Sequence, residues 1–504
     1  MIDLTLQKLH ESIAKAHGEN ALQKALSTAS NITAYDLQAE AKNLYPVITL
    51  LRNRIPRVGG KGGTATHWKS IFGITGSGVS SMPWVPEGQR SGRQDYTAID
   101  KAATYRTLGE EDSITEEAIN AAVGFEDAMA TMTLRLLQGA MIKEEYAILA
   151  GNNSFALATP GTIVTNNPTV SGATLAADTY TVEVVALTAE GWLATGSING
   201  AAGSAKVQQV VHVTGADGDG YDLNGGSSAL SASQSQAITL GKALDLYVPA
   251  VKGAIAYGWY IGGIGQTPRL EYITTVNSLR VTTPLAGTGQ LDSAITGDCS
   301  RNANYAFDGL LYSAFASGSN AYLNTLATGT PGTGTTLTTG GRGNVKELDA
   351  MLKSMWDNYR VAPTLLLVNS QEQKTITDLV LGTGSSALLR INQEANGKQP
   401  YGIVGNGVVE AYYNPYALDG GIKIPVMLHP FVAPGTILAW CENLPAQYVN
   451  NNAPNVAEMH IRKDYVQTFW PPIRRKREVG VYVEETLAVY APFAMGIINN
   501  ISPN

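Results

Sequence analysis

Apolar and polar positions change their rhythm several times along this chain. Over residues 1–45 they recur loosely, at Leu4, Leu6, Leu9, Ile13 and Leu22 among frequent charges, which predicts a polar, amphipathic arm. YPVITLLRNRIPRV (Tyr45–Val58) is apolar and basic. From there to about Tyr105 there is no helical period. The segment holds Trp68, Pro83, Trp84 and Pro86 and closes on DYTAIDKAATYRTL, which alternates like a strand. So long a stretch without an element of its own is uncommon inside a compact domain, and a two-stranded arm reaching outward is expected.

A helical period then sets in. Ser113 and Glu116 have the spacing of a capping box. Phe125, Met129, Met132 and Leu136 follow at intervals of four, three and four, on one face. The pattern runs through Met141 and Tyr146 to Gly151, a natural stop with Asn152 and Asn153 behind it. Gly124 and Gly139 should weaken or bend this helix of about thirty residues, ~45 Å long.

After Gly151 the period shortens to two. TYTVEVVAL, KVQQVVHVT, ALDLYVPAV, AIAYGWYIG and RLEYITTV are β-type runs separated by glycine and asparagine turns, the signature of an all-β sandwich. Only fifteen residues in positions 152–300 are charged, ten acidic and five basic. Beyond Arg301 the pattern becomes α/β. Asn344 and Glu347 are placed to cap a helix with Leu348, Met351, Leu352, Met355, Trp356 and Tyr359 on one face. TLLLVNS follows as a buried-type strand, and Ser370 and Gln373 open a second helix through Val380. GIVGNGVVEAYY, GGIKIPVMLHPF and GTILAWCENL read as strands, and the C-terminal run from Glu458 as two long alternating strands with an apolar end. Because neither flank looks complete alone, the β-rich block reads as an insertion into one host fold. Deleting Ala158–Gly297 is then expected to do less damage than losing the two-stranded loop that precedes the helix.

Composition narrows the classes. At 504 residues there is material for two to four domains. Charged residues are only 15%, against roughly 25% in soluble proteins generally, which fits a surface largely covered by neighbours. A net charge of −7 argues against a basic nucleic-acid binder. Two distant cysteines, Cys299 and Cys441, do not make a disulfide scaffold and point to a reduced cytosolic origin. The first twenty residues lack a signal peptide's apolar core, and no apolar run is long enough to span a membrane.

Candidate chemistry is sparse. RVGGKGGTATHW (Arg57–Trp68) suggests a phosphate loop, but Lys61 is followed by Gly62, Gly63 and only then Thr64, out of Walker register, and no helix pattern follows. The histidines, His10, His17, His67, His212, His429 and His460, have no metal-ligand spacing. Glu110, Glu111 and Asp112 suit a helix N-terminus. Glu484 and Glu485, adjacent on a strand, point to opposite faces and cannot pair. Asp217, Asp219 and Asp222 suggest a calcium loop, yet Ser228 stands where an EF-hand has glutamate, so a turn is expected. No catalytic residue, cofactor or metal is predicted. Two basic clusters remain, Arg52, Arg54 and Arg57 with Lys61, and Arg474, Arg475, Lys476 and Arg477, read as solvated faces or partners for acids on an adjacent copy.

The order of parts resembles the major capsid protein of tailed bacteriophages, the HK-97 fold. YPVITLLRNRIPRV with its glycine turn and tryptophan resembles that family's lead-in to an extended loop, and MPWVPEG a motif partway along it. SITEEAINAAVGFEDAMATMTLRLLQGAMIKEEYAILAGNN resembles the spine helix; FDGLLYSAF, the helix–TLLLVNS–helix unit, IPVMLHPF and GTILAW the axial domain; AVYAPFAMGIINNI the closing peripheral strand. LYVPAVKGAIAYGWYIGG (Leu246–Gly263) resembles the middle strands of a fibronectin type III or Ig-like domain. The resemblance implies an α+β chain: N-terminal arm 1–45, lead-in to the peripheral domain 46–58, extended loop 59–106, peripheral domain with spine helix 107–151, Ig-like insertion 152–300, axial domain 301–452, and peripheral strands with the C-terminus 453–504.

It further implies a non-enzymatic virion protein, assembled in the host bacterial cytoplasm into hexamers and pentamers of an icosahedral shell. The shell would contact packaged DNA non-specifically and involve a portal, a decoration protein, and a separate scaffolding protein or none, since only about 45 residues precede the loop. Inter-subunit contacts are expected at Arg52, Arg54, Arg57, Lys61, Trp68, Trp84, Glu87, Arg474, Arg475 and Arg477. The rival classes are a phage tail-tube or sheath subunit and an extracellular carbohydrate-active protein with an Ig-like module.

Overall fold

The computed structural model describes residues 47–60, 62–75, 84–91, 93, 95–123, 127–196, 206–328, 330–341, 343–382, 409–417, 421–445, 448, 455–472 and 474–503. The predicted arm over 1–45, Lys61, Gly124, Phe125 and most of GIVGNGVVEAYY lie outside them. Two units separate: Ile114–Met132 belong to one, Val47–Ser113 with Thr133–Asn504 form the other.

In chain order, α1 (Leu50–Arg54) and β1 (Arg57–Gly59) lead to β2 (Ala65–Thr75) and β3 (Asp95–Thr104). These two pair antiparallel from Ala65 opposite Thr104 to Thr75 opposite Asp95, and form a two-stranded sheet of their own. β4 (Arg106–Thr115), α2 (Glu116–Ala122) and α3 (Ala128–Ala150) follow. The single helix expected here is therefore two. Ser113 is still in β4, and the cap is Thr115, whose hydroxyl accepts from the Ala118 N–H at 3.2 Å. Val123, β-branched and followed by glycine, leaves helical geometry with ψ 123°. Asp127 starts α3 by accepting from the Met129 and Ala130 amides, both at 3.1 Å. On α3 the buried row is Leu136, Ala140, Glu144 and Ile148, spaced by four.

The next stretch holds β5 (Val164–Asn166), β6 (Asp178–Leu187), α4 (Ala189–Ala194), β7 (Val210–Thr214), β8 (Gly220–Asn224), β9 (Gln234–Ile238), β10 (Leu244–Tyr247), β11 (Ala256–Gly262), β12 (Arg269–Thr274) and β13 (Ser278–Val281). They build a three-stranded sheet, β13-β10-β5, and a four-stranded one, β12-β11-β6-β9, with β7–β8 as a separate hairpin. Tyr180, Val182, Val184 and Ala186 of β6, with Tyr257, Trp259 and Ile261 of β11, fill a core with Leu244 and Leu246 of β10. The other faces of β6 and β11 are buried too. Val185, Leu187, Ala256 and Tyr260 join a second core with Leu51, Ile148, Phe307, Tyr312, Leu438 and Trp440. The β-block is thus continuous with its host rather than a bead on a tether.

The remainder contains α5 (Leu310–Phe315), β14 (Tyr322–Thr325), β15 (Thr339–Gly341), β16 (Asn344–Val345), α6 (Lys346–Tyr359), β17 (Leu365–Val368), α7 (Ser370–Gly382), β18 (Ala411–Asn414), β19 (Ile422–Leu428), β20 (Ile437–Trp440), β21 (Ala457–Phe469), β22 (Lys476–Val489) and β23 (Met495–Asn499). A six-stranded mixed sheet runs β14-β23-β20-β17-β19-β18, and a four-stranded one runs β1-β21-β22-β4. Asn344 does not cap α6, because it is paired in β16; no side chain caps that helix, and Glu347 instead accepts from the Thr338 amide at 2.9 Å. Leu348, Met351, Leu352 and Met355 are buried as expected. The closing strand is also placed differently from the expectation. β23, buried at every position, lies between β14 and β20 rather than beside β21 and β22. A strand apolar on both faces needs cover on both, which the middle of a larger sheet provides.

Candidate functional site

A buried charge cluster lies where α1, β1, α3, β21 and β22 meet. α1 is too short to hold itself, and its first amides lack intrahelical acceptors. Glu145 supplies them: its carboxylate accepts from Leu51 N–H and Arg52 N–H, each at 2.7 Å. His429, just past β19, completes the junction with Nε2 2.8 Å from Glu145 Oε1, both side chains fully buried. One carboxylate therefore ties the lead-in to the helix and to the six-stranded sheet.

Glu144, on the adjacent position of α3, faces the other way. Arg52 Nε donates to it at 2.6 Å, and Arg57 and the Tyr465 hydroxyl donate as well. The Tyr465 ring lies under both guanidiniums, 5.4 Å from Arg52 Cζ and 5.8 Å from Arg57 Cζ. Burial and the neighbouring Glu144 raise the Tyr465 hydroxyl above its ordinary range, so it stays a donor. Arg57 also reaches Glu485 Oε2 and the exposed Asp464, each at 3.4 Å. Glu485 is fully buried, and burial followed by the Glu144 charge pushes its carboxyl up to about 8.

The predicted contact residues are dispersed. Arg52 and Arg57 are spent inside the chain, in this cluster, and Arg54 pairs with Glu442 at 2.7 Å. Lys61 lies outside the described residues. Trp68 sits at the base of the β2–β3 ribbon, its ring edge-on to Tyr490 at 5.5 Å. Trp84 is 84% exposed and Glu87 is exposed beyond the ribbon. Arg474, Arg475 and Arg477 are exposed at the β21–β22 turn, beside exposed Phe469.

The glycines of RVGGKGGTATHW serve the backbone. The Gly60 amide donates to Ile461 O at 2.6 Å, and a side chain at Gly60 would strike the Tyr105 hydroxyl. Gly62 and Gly63 turn the chain with φ of 89° and 85°. Glu484 and Glu485 do face opposite ways: Glu484 takes Arg462 at 2.6 Å while Glu485 points inward. What the sequence reading missed is that Glu485 and Glu144 share the guanidinium of Arg57. The signal was there in Glu144, a charge on the apolar i, i+4 row of α3. Among the described residues no group of three His, Cys, Asp or Glu side chains could hold a metal ion.

No protein-family model and no curated protein matches the chain. Among solved structures, one of Mycobacterium phage Bobi is similar at 11% identity and TM-score 0.37, over 94% of this chain and 98% of that one. The capsid of a native GTA particle is similar at 9% identity and TM-score 0.39, over 95% and 99%. The capsid of Cyanophage P-SCSP1u is similar at 7% identity and TM-score 0.39, over 95% of each chain.

Proposed function

We propose that the chain is a self-assembling shell subunit, the major capsid protein of a tailed bacteriophage with the HK-97 fold, forming the hexamers and pentamers of an icosahedral shell around double-stranded DNA. The observation that carries this is the β2–β3 ribbon. A two-stranded hairpin in water is marginally stable at best, and this one runs ten or more residues per strand. Its pairing puts Ile71 and Tyr96 on one face and Ile99 on the other, and they are 60%, 57% and 48% exposed. A ribbon apolar on both faces, with both edges unpaired among the described residues, calls for cover, which a neighbouring copy would supply.

The other parts fit the same role. The chain's arginines and buried carboxylates fasten the ribbon's base, leaving the ribbon itself for a neighbour. The two-sheet block at 152–300 is read as the Ig-like insertion, on the outside of the shell. A portal, a decoration protein and a separate scaffold are the partners of such a subunit, the virion its location, and contact with DNA non-specific.

Sedimentation tests this. The purified chain should sediment far above its 53.3 kDa monomer mass, and Ile71→Asp/Ile99→Asp should sediment as a folded monomer by circular dichroism. Unaltered assembly of that variant, or a monomeric wild type, would count against the ribbon as the assembly element.

A further inference from the structure

We propose that Glu485 and Glu144 form a proton-sharing carboxyl pair that latches β22 and α3 to the segment leading into the ribbon, and that loss of the shared proton releases the latch. The geometry is a mismatch of partners. Glu144 has three donors, from Arg52, Arg57 and Tyr465. Glu485 has one long contact, Arg57 at 3.4 Å to Oε2, while its Oε1 is buried with no donor at all. An orphaned carboxylate oxygen in a dry site is costly, and a proton shared with a neighbouring carboxylate removes the cost. The Arg57 guanidinium touches both carboxyls, which brings the two side by side, so a proton on Glu485 has Glu144 as its nearest acceptor.

Among the described residues, the charged groups around the pair come from four elements. α1 and β1 contribute Arg52 and Arg57, and β21 contributes Tyr465 and the solvent-exposed Asp464. α3 contributes Glu145 next to Glu144, but that carboxylate is taken by two amides and His429. Glu484 points away to Arg462. Two guanidiniums thus serve two carboxyls, with both short contacts on Glu144. Ionised Glu485 would meet Glu144 across the single bridging guanidinium of Arg57, and like charges in such a site cannot both stay.

The sign follows from the raised value. Glu485 binds its proton more tightly folded than unfolded, so its contribution is fully favourable below the ordinary carboxylate range. That contribution is lost progressively as pH rises to about 8. Arg57 begins β1, which continues through the glycine turn into β2, so release frees the base of the ribbon. The latch is a property of the folded chain and stands whether or not the shell reading holds.

Hydrogen exchange of the full chain at pH 6 and pH 9, corrected for intrinsic rates, reads it locally. Amides of β1, β21, β22 and the C-terminal half of α3 should lose protection together, at least tenfold, at pH 9. Glu485→Gln, which keeps the shape of the protonated carboxyl, should hold protection at both pH values. Glu144→Gln, which leaves Glu485 alone with two guanidiniums, should also abolish the step. Wild-type protection that is unchanged at pH 9 in these strands, or a step of equal size in either folded variant, would overturn the proposal. Should neither variant fold, the wild-type pattern still decides: loss spread evenly over the six-stranded sheet as well would overturn it.

Discussion

Glu145 shows how much one buried carboxylate can organise. It caps the first turn of α1, anchors α3 and holds His429. Glu145→Ala is expected to cost about 3–5 kcal/mol, the range for breaking a buried pair, read as a lower denaturant midpoint; a midpoint within error of wild type would remove Glu145 from this role. Gly109 is a second sensitive point, because a methyl there would sit 2.2 Å from Tyr482 Cδ1. Gly109→Ala should destabilise by about 1–3 kcal/mol through overpacking, and a neutral result in the same titration would mean that Tyr482 shifts freely. Residue by residue, the sequence showed where charge and glycine were unusual but not what they met. Arg57 and Glu485 are 428 residues apart, and no local pattern reports such a contact.

At the scale of elements, periodicity served well where one face alone is buried. It located α6 and α7; β17, buried at every position, showed instead as an unbroken apolar run, and the ribbon by its lack of helical period. It failed where tertiary pairing overrode local signals: β4 runs on to Thr115 and moves the helix cap, and Asn344 joins β16. The two-sided burial of β6 and β11 was written in the unbroken apolar run AIAYGWYIG, which a sandwich strand with one solvent face would not need. That burial reverses one expectation. Removing Ala158–Gly297 would strip Val185, Leu187, Ala256 and Tyr260 from a core that also holds Leu51 and Trp440, and a buried Asn277–Asn500 amide pair would go with it. The deletion is expected to yield insoluble protein, whereas replacing the sequence between the two ribbon strands, positions 76–94, by a short turn leaves a soluble, folded chain. A soluble, cooperatively unfolding deletion variant would show that the shared core is dispensable.

For the whole molecule, low charge and abundant small polar residues make sense if much of the surface is covered by other copies. The sequence offered that reading through the order of its parts, and the structure adds a physical demand: a ribbon with exposed apolar residues on both faces and no further strand paired to it among the described residues. Large assemblies with mutual overlap answer that demand. Negative-stain electron microscopy of the expressed chain tests it most directly. Closed, roughly spherical shells are the predicted result. Tubes would assign the chain to a tail, and a monodisperse monomer would contradict assembly altogether.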